Sequence, residues 1–331
     1  MNGSPLHRRE ALVRLGQLSL GALAAPGLLA AGRTARAEEI PEKYERAIEK
    51  GLRWLAKQQH RDGHFDAQGG QYPMAMTGLA GMCFLMQGST TREGKYADNI
   101  RRAMDWFIGR SQPNGLLCNP NHPGEAGRYM YGHGYGLLFL ASCHGEEDEP
   151  ERRKKLEDVL TRAVKFTCNA QATCGGWNYV SSKDSGDGHE GSVTAVQVQS
   201  LRAARNAGIV VPLETIKKCH DYLKKATDSQ GAVMYQLGGG SGSPALTAQA
   251  LACLFAAGDY KDDLVKRWLK YCQRAMPLER GGGGLQRFGH YEYTHYYYSQ
   301  VAYMLGEDGW DKLFGSGDRN KLTWKKYKAA M

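Results

Sequence analysis

The sequence has 331 residues, a net charge of +9 and 42% hydrophobic residues, with 43 basic against 34 acidic side chains. A chain of this length can bury a full hydrophobic core as one domain. The basic surplus is mild and forms no stripe interleaved with aromatic residues, so the composition gives no reason to expect a nucleic-acid partner.

The N-terminal segment has the three parts of an export signal. Arg8 and Arg9 precede an uncharged run over residues 15–32, and an Ala-Arg-Ala cleavage motif follows at residues 35–37. This order predicts a removable twin-arginine signal over residues 1–37 and an exported protein, periplasmic or extracellular. The alternative is an uncleaved anchor helix, since 18 uncharged residues are about the shortest length that spans a bilayer.

Cleavage at that motif leaves one domain over residues 38–331, with 331 − 37 = 294 residues. The signal carries five Arg and one Glu, so the mature chain has a net charge of +9 − (5 − 1) = +5. We expect no stable transmembrane span in this domain. Its eight cysteines form no Cys-x-x-Cys motif, which argues against structural zinc and leaves free thiols and disulfides both open.

A glycine-centred turn recurs along the domain. Three of its copies begin with glutamine, at Gln59, Gln112 and Gln171. The glycines are separated by 52, 60, 56 and 53 residues, which suits a repeated helical hairpin with long loops. The copies are centred on Gly63, Gly115, Gly175, Gly231 and the glycine run 281–284.

Each turn lies between a charged amphipathic segment and an almost uncharged one. In the first charged segment Ile48, Leu52 and Leu55 share one helical face, which is typical of an outer-layer helix. The uncharged segments are too short to cross a bilayer and are predicted to be inner helices buried on both sides. They cover residues 73–87, 131–143, 191–201, 244–257 and 294–305.

This alternation predicts an all-α protein in which outer helices back a row of inner helices. An open solenoid and a closed ring both fit the pattern. Glycines within the inner helices allow close helix approach and favour the ring. They are Gly78, Gly81, Gly132, Gly134 and Gly136.

The Gln…Gly-Gly-Trp turn at 171–177, the paired helices and the repeat length resemble the prenyltransferase and squalene-cyclase repeat family. The resemblance covers roughly residues 41–310 and is greatest to exported, single-domain bacterial members, as indicated by segments 130–141, 190–208 and 293–310. It implies an α/α toroid of about five to six helical hairpins. It also implies a hydrophobic, isoprenoid- or lipid-like ligand in a central cavity.

The cyclase chemistry of that family can be compared residue by residue. Cyclases carry Asp-x-Asp-Asp-Thr-Ala at the start of an inner helix, and the middle Asp is the proton donor. The matching stretch here is residues 190–195, in which Glu190 matches the first carboxylate and Ser192 stands at the proton-donor position. Because a serine hydroxyl is far too weak an acid to protonate an alkene, we do not expect standard cyclase chemistry.

The zinc chemistry of protein prenyltransferases fits no better. Those enzymes hold zinc with Asp and Cys from one repeat and His from a later inner helix. His295 resembles that His, but residues 240–245 contain neither Asp nor Cys. A catalytic zinc site needs about three protein ligands, so we expect no metal and no cofactor.

The polar residues of the inner helices are the candidate site. Counting backwards from the glycine that ends each helix places them near one level of the ring, the usual form of a small-molecule site. We predict that His133, Glu190 and His295 form a catalytic set in one cavity. The predicted ligand-binding residues are Thr194, Gln197, Thr247, Tyr131, Tyr293 and Tyr298.

Two alternatives to that site remain open. The polar residues could hydrogen-bond within the inner layer while the tyrosines pack between helices. Two histidines and a carboxylate could also ligate zinc or iron.

The sequence leaves two functions open. One is a binding module for a hydrophobic ligand, which the missing proton donor and missing zinc ligands favour. The other is an enzyme of non-standard type, an isomerase or cyclase, a transferase or a lyase. It would use Glu190, His133 or His295 as acid or base, and the polar cluster favours it.

Overall fold

A computed structural model describes residues 42–257, 262–278 and 290–331. In these ranges the regular structure is helical, with twelve helices and only isolated β-bridges. The predicted export signal 1–37 and the predicted fifth turn at 281–284 lie outside the described residues. None of the helices in these ranges is both long and apolar enough for a membrane span.

The helices alternate between an outer and an inner layer. The outer helices are α1 (Glu42–Lys57), α3 (Ala97–Arg110), α5 (Pro150–Asn169), α7 (Leu213–Lys225) and α9 (Asp263–Ala275). The inner helices are α2 (Pro73–Gln87), α4 (Tyr129–His144), α6 (Gly191–Asn206), α8 (Pro244–Ala257) and α10 (Tyr291–Leu305). Two short helices, α11 (Gly309–Phe314) and α12 (Trp324–Ala330), pack against α10.

The contacts between helices define the two layers. Each inner helix packs against the next inner helix along the chain, from α2 through α4, α6 and α8 to α10. From α3 onward, each outer helix packs against the inner helix that precedes it. The all-α, double-layered α/α toroid expected from the sequence is confirmed, and of the about five to six hairpins expected, five lie in the described ranges. Helices α4 and α10 begin two and three residues earlier than predicted.

Burial follows the predicted division between the two layers. In α9 the buried residues lie on one face and the charged ones on the other, with Trp268 fully buried between the layers. In α4 buried residues occur all round the helix. Glycines in the inner helices allow α2 and α4 to pack closely. A Cβ at Gly78 of α2 would lie only 2.7 Å from the backbone of Tyr135 in α4.

The repeated turn has the same hydrogen bonds in each of its four described copies. In the third copy the amide of Gly175 donates to the carbonyl of Ala172, and the amide of Ala172 donates to the carbonyl of Gly176. Gln171 then donates through Nε2 to the carbonyls of Gly175 and, on the next outer helix, Thr215. Gln59 makes the matching pair of bonds in the first copy.

The turn glycine cannot be replaced without strain. Gly175 has φ +100°, and an added Cβ there would overlap the carbonyl oxygen of Lys218 in α7. The same carbonyl contact recurs in every described repeat, which is why glycine marks the repeat in the sequence. The pairs are Gly63 with Arg102, Gly115 with Arg162, Gly175 with Lys218 and Gly231 with Arg267.

All eight cysteines lie in the described ranges, and no disulfide joins any two of them there.

Candidate functional site

Thr194 and Thr247, predicted to contact a ligand, instead join the turn to the inner helix that follows it. The amide of Trp177 donates to Thr194 Oγ1 at 2.9 Å, and the amide of Val233 donates to Thr247 Oγ1 at 3.0 Å. Each threonine also donates to a backbone carbonyl four residues earlier, so the single O–H donor of each hydroxyl is engaged. We call this contact the turn latch.

His133 is the turn latch of the second repeat. The amide of Leu117 donates to its Nδ1 at 3.3 Å, so the ring proton lies on Nε2 and is donated to Thr167 Oγ1 of α5 at 2.8 Å. The side chain is fully buried, packs edge-on against Phe166 and points toward the outer layer. Burial lowers its pKa to about 4, so it is neutral at physiological pH.

His295 also points away from the inner helices. Its Nδ1 is hydrogen-bonded to the hydroxyl of Tyr327 in α12 at 2.7 Å, and its ring tilts against Tyr291 at 4.4 Å. Burial lowers its pKa as well. Tyr298, predicted to bind ligand, is fully buried and packs edge-on against the same Tyr327.

His133, Glu190 and His295 therefore have different hydrogen-bond partners and form no direct three-residue set, and a shared cavity stays a prediction. The donor atoms of these three residues do not come within 4.8 Å of one another. The reason is helical rotation, since residues two apart on a helix of 3.6 residues per turn point about 200° apart. Tyr131 and Tyr293 face the neighbouring inner helices. His133 and His295 stand two residues after them and so point in another direction.

Glu190 lies where it was predicted, at the start of α6, and its side chain caps the helix. It is fully buried and accepts the amides of Ser192 at 2.8 Å and Val193 at 2.5 Å. The Ser192 hydroxyl donates to the same carboxylate. Burial raises the pKa of Glu190, while these hydrogen bonds oppose the shift. The carboxylate thus stabilises the positive end of the helix dipole.

Four further side chains join Glu190 in a connected polar group. The hydroxyl of Tyr131 is hydrogen-bonded to Ser192 Oγ and to the hydroxyl of Tyr293. Gln249 of α8 donates through Nε2 to the Tyr293 hydroxyl and to the carbonyl of Ser192. We call Glu190, Ser192, Tyr131, Tyr293 and Gln249 the Glu190 cluster. It joins four inner helices, α4, α6, α8 and α10.

One acceptor in this cluster is unsatisfied. Gln249 is almost fully buried, and its Oε1 has no hydrogen-bond partner among the described residues. Gln197, another predicted ligand-binding residue, has a similar orphan Oε1 while its Nε2 donates to the carbonyl of Met130. Buried acceptors without partners are uncommon in folded proteins, and each calls for an explanation.

Partly exposed tyrosines surround the cluster. Tyr179 lies 5.8 Å from Tyr131, and its hydroxyl is hydrogen-bonded to that of Tyr235 at 2.7 Å. Tyr235 is 37% exposed, and the guanidinium of Arg128 lies 5.2 Å from the centre of the Tyr179 ring. We call Tyr131, Tyr179, Tyr235 and Tyr293 the tyrosine rim. Tyr235 is exposed and the other three are half-buried, and the rim lies beside a buried carboxyl group.

Sequence reasoning missed Gln249, Tyr179 and Tyr235. A signal for the two tyrosines was present, because each stands four residues after a turn glycine, Gly175 and Gly231. Counting forward from the turns would have aligned them. Gln249 had no comparable signal, since its role depends on the direction in which α8 faces.

Two cavities lie away from the Glu190 cluster. One, of about 80 Å³, is lined by Tyr298, Met276 and Leu322, between α9 and the C-terminal segment. The other, of about 520 Å³, opens between α6 and α7, with Leu213 and Ile216 among its lining residues. Neither contains a residue of the tyrosine rim.

No protein-family model and no curated protein matches this chain. Among solved structures it is similar to a protein from Actinoplanes, at 18% identity over 71% of this chain and 67% of that one, with a TM-score of 0.45. It is similar to a type II terpene cyclase from Scytonema in complex with merosterolic acid A, described as the product. That match has 19% identity over 70% of this chain and 64% of the other, with a TM-score of 0.45.

A second structure of the Scytonema cyclase, in complex with geranylgeranyl dihydroxybenzoate as substrate, gives the same identity and TM-score. This chain covers less than two thirds of the length of both cyclase chains. Similarity at this level does not bear on activity, and the fold assignment rests on the helix contacts described above.

Proposed function

We propose that this protein binds a hydrophobic, isoprenoid- or lipid-like ligand at the tyrosine rim, with the polar end of the ligand at the Glu190 cluster. The observation that carries the proposal is the pairing of a partly exposed group of tyrosines with a buried, hydrogen-bonded carboxyl group. Sites that bind small molecules combine a mostly apolar wall with a few convergent polar groups. Export through residues 1–37 would place this binding outside the cytoplasm.

The polar groups suit a hydroxyl at the end of the ligand. The orphan Oε1 of Gln249 could accept a hydrogen bond from that hydroxyl, and the Tyr293 hydroxyl lies directly beside the amide. The tyrosine rings provide apolar area at little cost in side-chain entropy. Glu190 is engaged by the first amides of α6, which favours a role in holding the cluster in place over a role as a free base.

A second candidate function is non-standard catalysis with Glu190 as the acid. Burial raises the pKa of Glu190, so the protonated carboxyl persists to higher pH than usual, and this favours proton donation. His133 and His295, named with Glu190 as catalytic residues, would not take part because they face the outer layer and α12. An isomerase or cyclase would fit this chemistry better than a transferase.

The proposal is tested by the affinity for tritiated geranylgeraniol, a long isoprenoid alcohol, measured by equilibrium dialysis. Tyr293→Ala removes a ring and a hydroxyl from the rim and should weaken binding roughly tenfold or more. Replacing Tyr131 and Tyr293 together by Phe keeps both rings and should weaken binding about fivefold, the effect of one lost hydrogen bond.

Tyr303→Ala is the matched control. Tyr303 is on the same helix, α10, but is 58% exposed and packs against Trp324, away from the rim. Its removal should leave the affinity unchanged. Equal losses for Tyr293→Ala and Tyr303→Ala, or no binding by the wild type, would contradict the proposal. If the bound alcohol is converted to a product and Glu190→Gln stops the conversion, the catalytic candidate is supported.

A further inference from the structure

The turn of the first repeat, around Gly63, brings together two imidazoles and a carboxylate. The donor atoms of His60, His64 and Asp66 all lie within 4.8 Å of one another. Asp66 is 3.3 Å from His60 Nε2 through one oxygen and 3.8 Å from His64 Nε2 through the other. The two imidazole rings are stacked 4.1 Å apart and only 5° from parallel, so both Nε2 atoms approach one carboxylate.

A second carboxylate fixes the tautomer of His64. Asp62 Oδ1 lies 2.6 Å from His64 Nδ1 and also accepts the backbone amide of His64. An ionised carboxylate can only accept, so Nδ1 carries a ring proton, and in the neutral imidazole the lone pair is then on Nε2, which faces Asp66. Trp106 stacks against the other side of the ring at 5.3 Å. A histidine that binds a metal commonly donates its other ring N–H to a carboxylate, which orients the ring. Asp62 and His64 have this arrangement.

The fold does not require these donors. The second, third and fourth turns form the same backbone hydrogen bonds with other side chains. The residues equivalent to His60 are Gln112, Ala172 and Asp228, those equivalent to His64 are Leu116, Gly176 and Ala232, and those equivalent to Asp66 are Cys118, Asn178 and Met234. The three donors are therefore an addition to the first repeat and not part of the turn.

The spacing of the donors matches a small transition-metal ion. Bonds of about 2.0–2.1 Å around a tetrahedral ion put neighbouring ligand atoms about 3.3 Å apart. The Asp66–His60 separation is 3.3 Å, and the Asp66–His64 separation of 3.8 Å closes with a small side-chain rotation. Two nitrogens and one oxygen favour zinc, cobalt, nickel or copper over calcium and magnesium, which prefer oxygen ligands alone.

We propose that His60 Nε2, His64 Nε2 and Asp66 bind one divalent transition-metal ion, zinc being the best fit, with Asp62 as the residue that positions His64. The His60 side chain is 46% exposed, so one coordination position is left open to solvent. Such a position can take a water molecule or an anionic or hydroxyl group of a ligand. The set was not predicted from the sequence because its members lie in a turn and not on the inner helices.

The test is titration of the untagged protein with zinc by calorimetry, after chelator treatment and under reducing conditions that keep the eight thiols free of disulfides. We expect one zinc ion per chain at this site. His64→Ala and Asp66→Ala should each lower the affinity by more than about 100-fold, and Asp62→Asn should lower it about 10- to 100-fold, as outer-shell changes do.

His220→Ala is the matched control, because His220 pairs with Asp262 at 3.0 Å and belongs to no three-donor group among the described residues. It should bind zinc as the wild type does. Cobalt gives an independent readout, since a protein-bound ion at this site should show visible absorption that is lost in His64→Ala. Melting curves check that each variant folds. If a ligand variant does not fold, Asp62→Asn still tests the proposal, because it keeps all three metal ligands.

Unchanged zinc affinity and an unchanged cobalt spectrum in His64→Ala and Asp66→Ala would overturn the proposal. Binding of zinc by the thiols alone would appear as an affinity that these variants leave intact. The isoprenoid-binding test uses different residues and a different probe, so the two proposals fail separately.

Discussion

Gly175→Ala should be among the most destabilising single substitutions in this protein, lowering the free energy of unfolding by more than about 4 kcal/mol. Two effects add. The residue has φ +100°, a conformation that costs an alanine about 1–2 kcal/mol, and its new Cβ would overlap the carbonyl oxygen of Lys218, a backbone atom that cannot move aside. Urea unfolding followed by circular dichroism measures the change.

Gly208→Ala separates the two effects. Gly208 has φ +90° but nothing within 4 Å of the Cβ position, so only the backbone strain of about 1–2 kcal/mol remains. Gly231→Ala should fall between the two, because its contact with the Arg267 carbonyl would be 3.1 Å. Equal losses for Gly175→Ala and Gly208→Ala would show that the turn is not held against the next outer helix as described.

His133→Ala should lower the free energy of unfolding by roughly 3–5 kcal/mol, because it leaves a cavity in the core and removes two hydrogen bonds. The amide of Leu117 would lose its partner and the hydroxyl of Thr167 would lose one of its two hydrogen bonds. His220→Ala, at a partly exposed ion pair, should change stability by less than about 1 kcal/mol. A stable His133→Ala protein would restore the possibility that this histidine serves a function other than structure.

The same histidine should give part of the protein's acid sensitivity. Its pKa is about 4 in the folded protein and about 6.5 in an unfolded chain, so between these values only the unfolded chain binds the proton. Stability is therefore complete above pH 6.5 and falls as the pH drops toward 4, by about 2 kcal/mol at pH 5. Urea unfolding at pH 7 and pH 5 should show this loss in the wild type and a correspondingly smaller one in His133→Ala.

The fold could be predicted from the sequence because its causes are local and repeated. Charged faces mark the outer helices, uncharged segments mark the inner ones, and Gly115 or Gly175 marks a turn that only glycine fits. The alternation then leaves few arrangements for the layers. The export signal and the last glycine run, outside the described residues, remain predictions.

The site was harder to predict because it depends on the rotation of each helix about its axis as well as on the level of each residue along the helix. Counting from helix ends gave the level of His133 and His295 along their helices but could not show that His133 faces the outer layer and His295 faces α12. The loops between turn and latch also differ in length. In the first repeat the latch is Thr77, which accepts the amide of Phe65 and follows its glycine by 14 residues, whereas Thr194 follows its glycine by 19. That variation hid the shared role of Thr194, Thr247 and His133.

Photo-crosslinking can locate the hydrophobic ligand that we propose lies on the tyrosine rim. A geranylgeraniol analogue with a diazirine in its chain would be bound, irradiated and located by peptide mass spectrometry. We expect adducts at Tyr179, Tyr235 and the first turns of α4 and α10, displaced by unlabelled geranylgeraniol. Adducts confined to the cavity between α6 and α7, near Leu213 and Ile216, or adducts that the unlabelled alcohol does not displace, would contradict the proposal.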